Sequence, residues 1–188
     1  MLGEILEKYL DVFPEDKAQF DALREQIKAR EKLSSRKNFT GHVTGSAIVL
    51  TSDLKKMLLI YHPTHKAWQQ PGGHWEEGET GPWLTAEREL IEETGIKPLR
   101  QINISGDQRI PLQIDSHLVP AAPQKNEPEH YHHDFRYLFI ADEATPRPIK
   151  HDAIKDVKWL EVEGLEDPRL VKAVKRANEL HRSKRLKA

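Results

Sequence analysis

The segment GGHWEEGETGPWLTAERELIEETGI, residues 72 to 96, constrains this chain more than any other part of it. It reads as a glycine turn, a glutamate-rich loop and a helix on which Glu89, Glu92 and Glu93 stand at i, i+3 and i+4. At 3.6 residues per turn those three carboxylates share one face. Such a face is either solvated, as charge runs on helices usually are, or an all-oxygen cluster of the kind hard divalent cations prefer. Two physical points favour the cation. Like charges at i, i+4 weaken a helix by roughly 0.2–0.5 kcal/mol per pair. Glu92 and Glu93 also fall in the last turn before the stop residue Gly95, where the helix dipole disfavours anions. A bound cation reverses both penalties. On the helical wheel Trp83, Leu84, Leu90, Ile91 and Thr94 form one arc that should face the core, with the glutamates across from it. Glu87 intrudes on that arc without a reason. Pro82 suits the first turn, and Thr80 or Gly81 could cap it.

Gly73, five residues, Glu79, eight residues, then Arg88-Glu89-Leu90-Ile91-Glu92-Glu93-Thr94-Gly95-Ile96 resembles the signature of Nudix hydrolases, with one residue more than usual between Glu79 and Arg88. The extra residue falls where loop becomes helix and can be absorbed there. A bacterial subgroup with the same insertion is also similar at Trp68 to His74 (WQQPGGH) and at Glu127 to Leu138 (EPEHYHHDFRYL). The likeness covers roughly residues 39 to 163. It implies a Nudix-type α/β/α sandwich with a mixed sheet as the hydrolase domain over 39–188, and residues 1–38, outside the likeness, read as an N-terminal helical extension. It also implies Mg²⁺- or Mn²⁺-dependent hydrolysis of a pyrophosphate linkage in a nucleoside diphosphate joined to another moiety. Carried over by position, Glu89, Glu92 and Glu93 would be metal ligands, joined by the carbonyl of Gly72 or Gly73, and Arg88 would orient a glutamate. Glu89 is the first choice as general base and Glu127 the second. The alternative is a catalytically silent nucleotide-binding or regulatory module on the same fold. Such modules often lose the motif glutamates, and all four are kept here. Isopentenyl diphosphate isomerisation, which shares the fold, normally needs a cysteine that this chain lacks.

Composition narrows the remaining classes. The 188 residues suffice for one ordinary domain with an extension, and 37% hydrophobic against 31% charged content describes a polar chain with a modest core. A formal net charge of −1 gives no reason to expect general nucleic-acid binding. The basic cluster Arg182, Lys184, Arg185 and Lys187 reads as a solvated tail. Without cysteine there is no disulfide and no cysteine-ligated zinc. No apolar run nears the ~20 residues of a membrane span, and the N-terminus lacks a signal-peptide pattern. A cytoplasmic location is therefore expected, and the resemblance implies a small-molecule, nucleotide-type substrate.

Along the chain, residues 2 to 35 read as helical, with Leu2, Ile5, Leu6, Tyr9 and Leu10 as one stripe, and a second pattern after Pro14 through Phe20, Leu23 and Ile27. Leu33 falls out of phase. These helices could pack, form a lid or supply a homodimer contact. Residues 42 to 50 and 56 to 62 read as strands, 63 to 70 as a loop, 99 to 105 and 110 to 118 as strands, 120 to 128 as a proline-rich loop, 131 to 140 and 157 to 160 as strands, and 168 to 181 as a helix.

A second constellation lies in HYHHDFRYLF, residues 130 to 139. Strand alternation puts His130, His132, Asp134 and Arg136 on one side and Tyr131, His133, Phe135, Tyr137 and Phe139 on the other. The aromatic side should be core, and the polar side should face solvent or a site. The polar set could contact substrate phosphates, the favoured reading; it could form a hydrogen-bonded solvent face; or His130, His132 and Asp134 could bind a transition metal. Trp68 could stack on a substrate base or be packed.

Overall fold

The computed structural model describes residues 1–63, 66–147, 154–183 and 186–187. Two helices open the chain, α1 (Leu2–Val12) and α2 (Asp21–Lys28), joined by a 3₁₀ turn at Pro14–Gln19. There follow β1 (Gly41–Leu50), β2 (Lys56–His62), β3 (Ala67–Gln69), β4 (Gly72–His74), α3 (Pro82–Thr94), β5 (Arg100–Gln101), β6 (Asn103–Ile104), β7 (Gln113–Val119), β8 (His130–Ile140), β9 (Asp156–Glu161), α4 (Pro168–Arg182) and β10 (Leu186–Lys187). The fold is α/β: a mixed sheet in the order β3-β2-β1-β8-β5, with β4 also on β1, β7 on β8 and β9 on β2, carries the helices.

At its centre β1 and β8 run parallel through ten paired residues, from Gly41 beside Tyr131 to Leu50 beside Ile140. Every residue of β1 is buried, as a strand covered on both faces must be. The stretch read as a loop from 63 to 70 holds a strand, β3, which pairs with β2. The glycine turn is likewise strand, because β4 pairs antiparallel with β1, Gly73 opposite Gly45. Short glycine-bearing strands carry too little side-chain alternation to be legible, and here neighbouring strands impose the extended backbone. The run from 99 to 105 divides into β5 and β6. Lys184 and Arg185 of the C-terminal basic cluster lie outside the described residues.

The side of α3 that meets the sheet is decided by Gly45. A Cβ there would lie 2.3 Å from the backbone oxygen of Pro82 and 2.8 Å from Cβ of Thr85. The helix backbone therefore seats directly on β1. The buried side holds Trp83, Thr85, Ala86, Glu89, Leu90, Glu93 and Thr94, so Trp83, Leu90 and Thr94 of the expected arc are buried, while Leu84 and Ile91 are half-exposed. The arc read from hydrophobicity is thus displaced toward the glutamates. Gly81 is the N-cap without a side-chain bond, Pro82 opens the first turn, and Gly95 closes the helix at φ 69°.

The N-terminal helices belong to the same hydrophobic cluster as the sheet, through Ile5, Leu6, Tyr9, Leu10, Phe20 and Leu23. Leu33, out of phase with α2, is buried beyond its end. A buried polar knot ties this segment to α4. Asp16 receives Nζ of Lys172 at 2.7 Å and Nη2 of Arg176 at 2.8 Å, together with the Tyr9 hydroxyl. Arg176 also donates to Tyr9 Oη at 2.8 Å and stands 4.2 Å over the Phe13 ring. Burial by itself would raise the Asp16 pKa, but Lys172, Tyr9 and Arg176 hold it below the ordinary carboxylate value.

Two outcomes are expected. Gly45→Val forces helix and sheet apart and costs at least about 1–3 kcal/mol in urea unfolding. Asp16→Ala removes the partner of buried Arg176 and of the partly exposed Lys172, and costs about 3–5 kcal/mol at neutral pH. Because the folded pKa of Asp16 is depressed, its contribution is complete above about pH 4 and is lost as the pH falls through the lower folded value. Unfolding curves of wild type and variant should therefore converge in acid; a gap that stays constant down to pH 2 would contradict this account.

Candidate functional site

The close seating of α3 brings its carboxylates to the glycine strand. Glu89 and Glu93 are 8% and 9% exposed. The backbone N–H of Gly72 donates to Glu93 Oε2 at 2.9 Å. A Cβ on Gly73 would lie 2.3 Å from Glu89 Oε1, so only glycine lets that carboxylate lie along β4. Glu92, one turn on from Arg88, is half-exposed. The i, i+3, i+4 spacing thus puts two carboxylates inside the junction of helix and sheet and the third at its rim, not on an exposed stripe.

Arg88 organises the group. Its Nε donates to Glu79 Oε1 at 2.8 Å, Nη1 to Glu89 Oε1 at 2.7 Å and to Glu92 Oε2 at 3.1 Å, and Nη2 to the carbonyl of His74 at 2.9 Å. Burial disfavours the cation, yet the bonds from Glu79 and Glu89 raise the Arg88 pKa still further. With the additional residue before the helix, Glu79 still reaches Arg88. Its Oε2 accepts from Thr85 Oγ1 at 2.7 Å and from the Glu76 N–H at 2.9 Å, closing the acidic loop. Burial would raise the Glu79 pKa; Arg88, Thr85 and the Glu76 amide lower it instead.

The polar side of β8 is not a solvent face. Asp134 and His130 are 4% exposed and Arg136 only 2%. The parallel register explains why: His42, Thr44 and Ser46 of β1 stand beside His132, Asp134 and Arg136, and His117, Asp115 and Gln113 of β7 stand on the other side. Three strands therefore share one buried polar face. Asp134 accepts from Ser46 Oγ at 2.7 Å, Thr44 Oγ1 at 3.0 Å, Gln70 Nε2 at 3.2 Å and Arg136 Nε at 2.8 Å. Arg136 spends Nη2 on Asp115 at 2.8 Å. Asp134 and Arg136 are thus joined in an internal network, whereas the histidines form the adjoining tier. Burial pushes Asp115 up, but His117 and Arg136 override it and leave a pKa of about 2. Burial, then repulsion from His42, His74 and His130, drives His132 down to about 2. On the opposite side, His133, Phe135, Tyr137 and Phe139 are buried as expected, while Tyr131 is 37% exposed at the start of the strand.

Of the remaining predicted residues, Trp68 packs edge-on against Tyr61 at 5.4 Å, with Nζ of Lys158 5.1 Å over its ring. Glu127 meets Arg36 Nη2 at 3.0 Å. Arg36, with Lys32 and Lys37, forms one wall of a groove of about 470 Å³ whose other wall is the acidic loop Trp75 to Glu79. Sequence reasoning passed over His42 and His74. The polar alternation His42-Thr44-Ser46 against Val43-Gly45-Ala47 was the available signal for the first; its pairing with β8 was not readable.

With this geometry in hand, comparison with known proteins agrees on one family. The NUDIX domain family matches residues 41–181. A probable DHNTP pyrophosphohydrolase from Lactococcus lactis subsp. cremoris (strain MG1363) is 36% identical over 103 residues, 54% of this chain and 55% of that protein, so the match spans about half the length of that relative. A NUDIX family hydrolase from Clostridium perfringens is similar in structure, with a TM-score of 0.55 and 25% identity over 74% of this chain and 97% of that one. The NUDIX domain of Shewanella oneidensis NrtR, solved with ADP ribose, shares the fold at a TM-score of 0.52 and 18% identity, over 83% and 96% of the two chains. The helix of clustered glutamates, its arginine hub and the strand that seats them are therefore those of a NUDIX domain, and the chain belongs to that family.

Proposed function

We propose that this chain is a divalent-metal-dependent hydrolase of the NUDIX family that cleaves a pyrophosphate linkage in a nucleoside diphosphate joined to another moiety. The observation that carries the reading is the packing of Glu89 and Glu93 against Gly73 and Gly72, with Glu92 one turn away and Arg88 bridging Glu79, Glu89 and Glu92. The donor set fits Mg²⁺ or Mn²⁺ in its chemistry, since all of it is oxygen and carboxylate-rich. Glu89, Glu92 and Glu93 would hold the ion, with the Gly73 carbonyl beside them. When bound, the ion supplies neutralisation of phosphate charge and a more acidic water.

The chain's own residues then account for binding and proton transfer. Arg88 keeps Glu89 and Glu92 aligned along the helix. Glu89, held at the buried junction by Arg88, is the general base, and Glu127 is the second candidate for that role. Lys32, Arg36 and Lys37 give the groove a cationic wall that suits anionic phosphates facing the acidic loop. Glu127, paired with Arg36 of that wall, acts electrostatically on His42 and His74, and His130 and His132 are proposed to contact substrate from the same strand face. Asp134 and Arg136 act behind them as a positioning network. The name of the Lactococcus relative supports pyrophosphate chemistry, and a nucleotide-type small molecule in the cytoplasm is the substrate class proposed. Among the described residues no helix is long and apolar enough to cross a membrane.

Glu92→Gln and Glu93→Gln should each lower Mg²⁺- or Mn²⁺-dependent turnover by at least ~10²-fold while the far-ultraviolet circular dichroism stays that of the wild type. The assay is phosphate release from a panel of dinucleotides, nucleotide sugars and DHNTP. Tight binding of a panel member with no product at any metal concentration would point to the silent nucleotide-binding module instead. Glu79→Ala removes an acceptor used by Arg88, Thr85 and the Glu76 amide, so amide exchange at Glu76 should accelerate by at least tenfold; unchanged protection would mean that the loop is held by something else.

A further inference from the structure

The polar face of the sheet holds a second group of ligand-type side chains. His42, His74, His117, His130 and His132 gather there. The His42 ring centroid lies 4.6 Å from that of His132, 4.9 Å from His130 and 5.1 Å from His74. One ring nitrogen each from His42, His130 and His132 lies within 4.8 Å of the other two.

The hydrogen bonds set the tautomers. A carbonyl only accepts, so Nδ1 of His130 donates to the Pro128 oxygen at 2.7 Å and Nδ1 of His42 donates to the Asn38 oxygen at 3.2 Å. In the neutral ring this leaves Nε2 of each as a bare lone pair. Nε2 of His42, on a residue 1% exposed, is buried without a hydrogen-bond partner. Nε2 of His130 faces Nε2 of His132 at 3.2 Å. An unmatched buried acceptor costs about 1–3 kcal/mol, which a cation among the three nitrogens would recover. Tethering the far nitrogen to a backbone carbonyl is also how metal-binding imidazoles are oriented. Two nitrogens on a tetrahedral ion at about 2.0–2.1 Å stand about 3.3 Å apart, close to the His130–His132 separation.

We propose that His42, His130 and His132 form a transition-metal site, suited to Zn²⁺ and separate from the glutamate site. Neutral imidazole nitrogens select zinc-type ions over Mg²⁺. Asp134 is not a member, since both its oxygens are committed to Thr44, Ser46, Gln70 and Arg136. The two sites lie on opposite faces of the sheet. Gly45 and its pairing partner Gly73 face α3, whereas Thr44 and its partner His74 face the other way, with His42. They meet at β4, where Arg88 donates to the His74 carbonyl.

The test is calorimetric titration of the chelator-treated, full-length protein with Zn²⁺ alone, repeated with Co²⁺ and read by its ligand-field absorption. The expected result is one equivalent of Zn²⁺, undisturbed by excess Mg²⁺ and retained in a Glu92→Gln, Glu93→Gln double variant. His42→Gln and His130→Gln should weaken it by more than the roughly 10–100-fold that loss of an outer-shell partner costs. Should either fully buried variant fail to fold, His132→Gln, at a half-exposed position, gives the same reading. Failure to take up stoichiometric Zn²⁺, or uptake lost with the glutamates and kept without the histidines, overturns the proposal.

Discussion

The contact on which the site depends is that of helix α3 with glycine-bearing strands. Side chains normally hold a helix away from a sheet. At Gly45 the helix backbone itself meets the strand, and at Gly73 a carboxylate does. That proximity turns the helix until Glu89 and Glu93 lie inside the contact and Glu92 at its rim. Charge so close to the core needs compensation, and Arg88 supplies it by reaching Glu79, Glu89, Glu92 and the strand carbonyl of His74 together. The contact proposed to hold a divalent ion is thus also the one that fastens the helix to the sheet.

Burial of polar groups on the opposite face follows a different logic. Parallel pairing of β1 with β8 and antiparallel pairing of β7 with β8 place three polar alternations side by side. The groups satisfy one another in tiers. Carboxylates, hydroxyls and Arg136 close a saturated network at one level. At the next, imidazoles with carbonyl-fixed tautomers leave nitrogens pointing inward. A saturated network gives rigidity, whereas an unsaturated one is where a ligand finds something to bind. The N-terminal segment adds a third buried polar knot at Asp16, which couples α1 to α4.

Much of this was legible from residues alone. The 3.6-residue spacing of the glutamates, Pro82 and Gly95 defined α3 nearly to its ends, and alternation defined β8. Local periodicity made those elements visible because each repeats its pattern over ten residues or more. Strands β3 and β4 were invisible because three residues carry no period. The wheel misjudged the buried side of α3, since hydrophobicity counts side chains and the missing side chains of Gly45 and Gly73 belong to other elements. Likewise, a row of histidines and charges reads as exposed until strands on either side turn out to carry polar partners at matching positions.

The amino-acid order by itself determined the family signature, the class of fold and which carboxylates gather, because these rest on spacings within one short segment. Tertiary structure alone decided that Asp134 meets Thr44 and Ser46 and that His42 joins His130 and His132. Those meetings depend on the register between strands about ninety residues apart, and a register is settled by which faces can be buried together, a property that neither strand possesses on its own.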